Sequence, residues 1–165
     1  MRGQEELYLL FEKLEINFNY REHPPVANIE EAKKYWKNLD SWRCKNIFLR
    51  NHKGDRHYLI ILEHTRNLKI KELELMLKQG KLTFASEKRL VKYLGLKPGS
   101  VSPFGLINDK EHHVHLFIDE KLREFDKLSF HPNINTASLV VLRSDLIRLI
   151  EYLGNSYEYI KLYDQ

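Results

Sequence analysis

Ser41-Trp-Arg-Cys-Lys-Asn-Ile-Phe-Leu-Arg50, the turn Asn51-His-Lys-Gly-Asp55 and the run Arg56-His-Tyr-Leu-Ile-Ile-Leu62 decide the fold. Two apolar runs rich in β-branched and aromatic residues flank a glycine-containing turn, which is the pattern of a β-hairpin. In the first run Trp42, Cys44 and Phe48 fall on one face, and Ile47 and Leu49 on the other. A strand apolar on both faces belongs inside a sheet that is covered on both sides. Lys45 shares the face of Ile47 and Leu49. Desolvating an ammonium there costs several kcal/mol unless something pairs with it. Two readings stay open: the stem carries the charge out to water, or the charge is kept for a ligand.

Outward from the hairpin, strands and helices alternate without a regular order. Apolar spacing predicts a helix over 3–16, a strand over 17–23 and a helix from the capping pair Asn28/Glu31 to about Leu39. After the hairpin come a helix from Ile70 that ends at Gly80, a strand at 82–85 and a helix from Glu87 to Leu94, capped by Ser86 and closed by Gly95. Strands near 113–118, 128–131, 136–143 and 157–162 follow. A short helix near 119–125 and a helix from a Ser144 cap to Tyr152 lie among them. This mixture predicts an α/β (mixed α+β) domain, either a mixed sheet or a partly closed barrel with helices packed outside.

The 165 residues, 42% of them apolar, suit a single domain over 1–165 with a real core. A lone cysteine excludes an internal disulfide and fits a reducing cytoplasm, the expected location. No stretch has the length or apolarity of a membrane span, so no membrane partner is expected. The net charge of +4 permits nucleic-acid binding without arguing strongly for it. Lys69, Lys71, Lys78, Lys81, Lys88, Arg89, Lys92 and Lys97 gather in two helices and a connector. They read as helix solvation or as a surface that tracks RNA phosphates.

The loop Gly99-Ser100-Val101-Ser102-Pro103 is the second informative feature. Pro98, Gly99, Pro103 and Gly105 argue against a regular helix here. A rigid glycine-proline loop can aim several peptide N–H groups at one oxygen, though it also serves as a plain connector. His131 reads either as a hydrogen-bonded structural residue or as a site residue, and His23 as a ring facing the loop before two prolines. Cys44 suits a small buried core residue. His112, His113 and His115 suggest a metal, but only His113 and His115 would share a strand face, so a solvated edge strand is expected and no metal.

Several of these segments resemble one family. Cys44-Lys-Asn-Ile-Phe-Leu-Arg50 is similar to the lysine-bearing strand of the YbaK-type aminoacyl-tRNA deacylases, and Gly99-x-x-x-Pro103 to their signature loop. That family includes the editing domain inserted in bacterial prolyl-tRNA synthetases. Ser102 to Asp109, Phe130-His-Pro-Asn-Ile-Asn-Thr-Ala137 and Glu22-His-Pro-Pro-Val26 resemble its free-standing PrdX branch, so the likeness runs from about residue 5 to residue 162. The resemblance implies a YbaK-like fold and hydrolysis of alanine wrongly attached to proline tRNA. It implies that Lys45 holds a ribose or acyl oxygen, that backbone N–H groups of the Gly99–Pro103 loop hold the carbonyl oxygen, and that Asn46 and His131 shape the pocket. The substrate's own ribose hydroxyl would take part in the proton transfer. The expected partner is the aminoacylated acceptor end of tRNA(Pro), with a synthetase as a second candidate and no DNA. No cofactor is expected, and a monomer is the expected state. Two competing readings stand beside this one: the same chemistry on cysteine or serine, and a non-catalytic tRNA- or synthetase-binding module.

Overall fold

The computed structural model describes residues 1–25, 34 and 41–161; apart from Lys34, the helix expected from Asn28 to Leu39 lies outside them. In chain order the elements are α1 (Glu5–Lys13), β1 (Phe18–Glu22), β2 (Trp42–Arg50), β3 (His57–Glu63), α2 (Ile70–Leu77), β4 (Thr83–Phe84) and α3 (Glu87–Leu94). Then come a 3-10 helix (Pro103–Asn108), β5 (His115–Asp119), a second 3-10 helix (Glu120–Glu124), β6 (Lys127–Phe130), β7 (Ala137–Leu142), α4 (Arg143–Leu153) and β8 (Tyr157–Ile160).

The strands form one mixed sheet in the order β1-β7-β6-β2-β3-β5-β8, with β4 also beside β2. The β2–β3 hairpin is antiparallel from Cys44↔Glu63 to Arg50↔His57. As its apolar faces require, a core lies on each side. The inner core joins Leu7 and Phe11 of α1, Phe48, Leu59 and Ile61 of the hairpin, Leu90 and Leu94 of α3, Phe104, and Leu146, Leu149 and Ile150 of α4. Phe104 sits at its centre, edge-on to Phe11 (5.5 Å between ring centroids) and to Phe130 (5.6 Å). The smaller outer core joins Leu49, Tyr58, Ile60 and Leu62 to Leu73 of α2 and Leu82.

Local chemistry sets several boundaries. Ser86 caps α3 as expected, its hydroxyl accepting from the Arg89 N–H, and Gly95 closes the helix in the left-handed conformation. Helix α2 stops earlier than Gly80, because Lys78 itself turns left-handed at φ 54°. The Ser144 cap does not form: α4 starts at Arg143, after Leu142 at the cap position, and the Arg143 N–H is taken by the Asp126 carbonyl. The proline- and glycine-rich stretch after the loop is a 3-10 helix, which tolerates Pro103 at its first position, where no N–H is needed.

The histidines at the far end of the hairpin also depart from expectation. Strand β5 is not an edge strand but lies between β3 and β8. His57 is 1% exposed; its Nε2 faces the Arg89 guanidinium at 3.0 Å and its Nδ1 faces His113 Nε2 at 2.9 Å. Arg89 can only donate, so His57 carries its proton on Nδ1 and gives it to His113. Burial, then the neighbouring His113 and Arg89, push the His57 pKa down from 6.5 to about 4. Between those values the unfolded chain binds more protons than the folded one, so stability falls as the pH drops from about 6.5 toward 4. Melting temperatures measured across this window should decline more steeply for the native protein than for His57→Gln. Parallel slopes would show that His57 contributes nothing to the acid sensitivity.

Candidate active site

The sheet's outer face changes character across its width. Over β3 and β5 it is apolar, but over β1, β7, β6 and the start of β2 it is polar. His23, Ser138, Ser129 and Arg43 are all buried there, none more than 9% exposed. The alternation of each strand puts them on this face, since Leu128, Phe130, Leu139 and Val141 face the inner core. Buried polar side chains have to be hydrogen-bonded to be tolerated. His23 Nε2 lies 2.9 Å from Ser138 Oγ, and its Nδ1 2.9 Å from the Pro24 carbonyl.

His131 continues the same face just past β6. Its Nδ1 lies 2.9 Å from the Ala137 carbonyl oxygen, which only accepts, so Nδ1 carries the proton. Burial holds its pKa below the ordinary value, outweighing the hydrogen bond to Ala137. The ring is therefore neutral near pH 7 and keeps Nε2 as a proton acceptor. Its centroid lies 6.0 Å from that of His23. Burial also lowers the Arg43 guanidinium, which remains a cation at neutral pH.

Lys45 lies on this same outer face, half-buried. Its ammonium donates to the Arg66 carbonyl at 2.9 Å and to Asn67 Oδ1 at 3.4 Å, both in the turn after β3. It neither extends freely into solvent nor forms an ion pair among the described residues. Two of its three N–H bonds are used, and the third has no acceptor among the described residues. Strands β2 and β6 run parallel, pairing Trp42↔Leu128 and Arg43↔Ser129. Lys45 and His131 each lie two residues beyond the last pair of this register, on the same face.

The edge of β2 that meets β6 is interrupted. It pairs with β6 at Trp42 and Arg43 and with β4 at Leu49 and Arg50. Between them, Cys44 to Ile47 have no ladder partner on that edge among the described residues. Asn46 points to the inner side of this gap, opposite Ile61, and its Oδ1 is buried without a hydrogen-bond partner. Cys44 is a core residue, and burial, followed by the nearby Asp119 and Glu63 charges, pushes its thiol well above the ordinary range.

The Gly99–Pro103 loop leads into the inner core. Val101 packs against that core, Ser102 is fully buried and its hydroxyl accepts from the Phe104 N–H, and Pro103 is buried. Gly99 adopts φ +86°, a conformation that an L side chain resists, and a side chain added there would meet the Asn135 amide in the turn after His131. The Ser100 N–H donates to the Lys97 carbonyl. The N–H groups of Gly99, Val101 and Ser102 have no acceptor among the described residues.

Lys45 and His131 thus share one face, while Asn46 and the loop approach from the other. No hydrogen bond or ion pair joins Lys45 to the loop among the described residues. The buried polar strip of Arg43, Ser129 and Ser138 was not singled out from the sequence. Its signal was single polar residues at outward positions of otherwise apolar strands.

Residues 23–149 match the family model of the aminoacyl-tRNA editing domain. The chain is 37% identical over 163 residues to prolyl-tRNA editing protein ProX of Acetoanaerobium sticklandii, covering 98% of this chain and 99% of that protein. It is 31% identical over 150 residues to prolyl-tRNA synthetase associated domain-containing protein 1 of Danio rerio, covering 90% of this chain and 81% of that protein. The crystal structure of a candidate trans-editing enzyme for prolyl-tRNA synthetase shares the fold, with a TM-score of 0.70 at 16% identity over 99% of this chain and 100% of that one. On the family match and the identity along nearly its whole length, the chain belongs to the aminoacyl-tRNA editing domain family.

Proposed function

We propose that this editing-family hydrolase releases alanine from mischarged Ala-tRNA(Pro), and that the reaction takes place across the gap in the β2 edge. The observation that carries the reading is a half-buried ammonium, Lys45, on the same sheet face as a neutral His131 and beside a strand edge that has no ladder partner among the described residues. An aminoacyl-tRNA is an activated ester, so the enzyme has to position a water, stabilise an oxyanion and route one proton. Water oxygen attacks the ester carbonyl. The negative charge that develops on the carbonyl oxygen meets the N–H groups of Gly99, Val101 and Ser102, while Ser100 braces the loop through Lys97. The ester C–O bond then breaks, the ribose oxygen takes the proton lost by the water, and free alanine and tRNA leave.

In this reading Lys45 gives its remaining N–H to the ribose or acyl oxygen. Asn46 offers its unsatisfied amide oxygen from the inner side, Pro103 fixes the loop's exit, and His131 orients the acyl group with its free Nε2. Selectivity comes from a pocket sized for a small side chain. Steric exclusion of a prolyl ring discriminates more strongly than one missing methylene, which is worth about 1–3 kcal/mol. The relatives named for prolyl-tRNA editing support tRNA(Pro) as the RNA, and the synthetase-associated names support a synthetase as a further partner.

A side-by-side deacylation panel tests this function. Ala-tRNA(Pro) should be hydrolysed at least tenfold faster than the cysteinyl, seryl or prolyl forms. A cysteinyl or seryl preference would move the specificity. No turnover on any of the four would leave a binding module.

A further inference from the structure

Phe84 is 67% exposed, a large ring left in water on a strand of two residues. It is not loosely held. The strand pairs with β2 through Leu49↔Phe84 and Arg50↔Thr83, the Ala85 N–H donates to the Phe48 carbonyl, and the neighbouring Leu82 is 3% exposed, its N–H held by Glu74. Residues opposite each other in an antiparallel pair share a face, so Phe84 stands on the outer face with Leu49, Ile47 and Lys45. It marks one end of the gap in the β2 edge, and Lys45 lies on β2 four residues before Leu49, the partner of Phe84, about 13 Å along that strand. Exposed lysines flank it on both sides in the chain: Lys71 and Lys78 on and after α2, Lys81 before the strand, and Lys88 and Lys92 on α3.

We infer that Phe84 is a stacking platform for an unpaired base at the 3′ end of the RNA whose ester is presented to Lys45. This inference rests on the proposed function for its choice of ligand. Single-stranded RNA ends are bound by aromatic faces that stack bases and by cations that follow the backbone, and a fixed, solvent-facing ring between lysine-bearing helices supplies both. The lysines fit an anionic strand better than an apolar protein surface. Phe84 is a positioning residue here: it holds the RNA end so that the ester reaches the gap, and it does not touch the reacting atoms.

The test uses deacylated RNA. Fluorescence anisotropy compares a hairpin carrying four unpaired 3′ nucleotides with the same hairpin made blunt. Phe84→Ala should weaken binding of the overhang hairpin about tenfold and leave the blunt one unchanged. Phe84→Trp should restore the overhang affinity, and with charged substrate the Ala variant should raise KM rather than lower kcat. Equal losses on both hairpins, no loss on either, or no measurable binding by the native protein would overturn the inference. So would unchanged RNA affinity with lost binding to prolyl-tRNA synthetase, which would give the ring to a protein partner. Because no ester is present, Phe84-dependent binding without turnover would sink only the hydrolase reading. Turnover without that dependence would sink only the platform.

Discussion

Lys45→Ala is expected to lower alanine release from Ala-tRNA(Pro) by roughly two to three orders of magnitude, the usual loss when one preorganised charge or donor at a reacting oxygen is removed. The fold should survive. Lys45 is half-buried, and its ammonium anchors only to the Arg66 carbonyl and Asn67 Oδ1 in the turn after β3. A melting temperature within a few degrees of the native value would separate lost chemistry from lost structure. Lys45→Arg should fail almost as badly. A planar guanidinium is longer and presents its donors in a rigid fork, so it cannot hold the Arg66 carbonyl and also aim one N–H into the gap. Full activity in Lys45→Ala, measured under single turnover, would remove the mechanism and leave the family membership standing.

Phe104→Ala is expected to be the most damaging core substitution, costing about 3–5 kcal/mol. The ring is fully buried, touches Phe11 of α1 and Phe130 of β6 edge-on, and follows directly on the Gly99–Pro103 loop. A typical domain has about 5–15 kcal/mol in all, so this loss consumes much of the margin. It should lower the melting temperature by roughly 10 °C or more. Ser102 caps the 3-10 helix that begins at Pro103 by accepting from the Phe104 N–H, so emptying the Phe104 side chain also loosens the loop N–H groups. Phe104→Leu should recover most of the stability, and a melting temperature equal to the native one in Phe104→Ala would show that the aromatic cluster is not the keystone of the inner core.

The hairpin was legible because both of its strands are apolar on two faces, and a core was found on each. Ser86 and Gly95 announced α3, since a cap and a left-handed stop are local devices that neighbouring elements do not override. Ser144 misled because a serine near a helix start is only a candidate cap; the Asp126 carbonyl took the Arg143 N–H one residue earlier. The placement of β5 was not readable, because strand order is set by pairings distant in sequence. His113 and His115 therefore looked solvated when His113 was in fact bonded to His57. At the candidate site, Lys45, Asn46, His131 and the loop were singled out in the sequence as residue types, through the family resemblance. That Lys45 and Asn46 address opposite sides of one broken strand edge follows from the alternation of β2 once β4 and β6 are known to leave Cys44 to Ile47 without a ladder partner among the described residues.

The join between β2 and β6 has a consequence for how the protein is made. Among the described residues the two half-sheets are stitched together through Trp42↔Leu128 and Arg43↔Ser129, partners from opposite halves of the chain. A nascent polypeptide leaving the ribosome can zip the β2–β3 hairpin from neighbouring sequence, but closing so long a loop waits for the C-terminal third to emerge. Until then the lysine strand carries an uncovered margin of peptide groups, the kind of surface on which other chains add themselves. Synthesis therefore passes through an interval of exposure to misassembly, at the very strand whose pairing stays incomplete among the described residues of the finished protein.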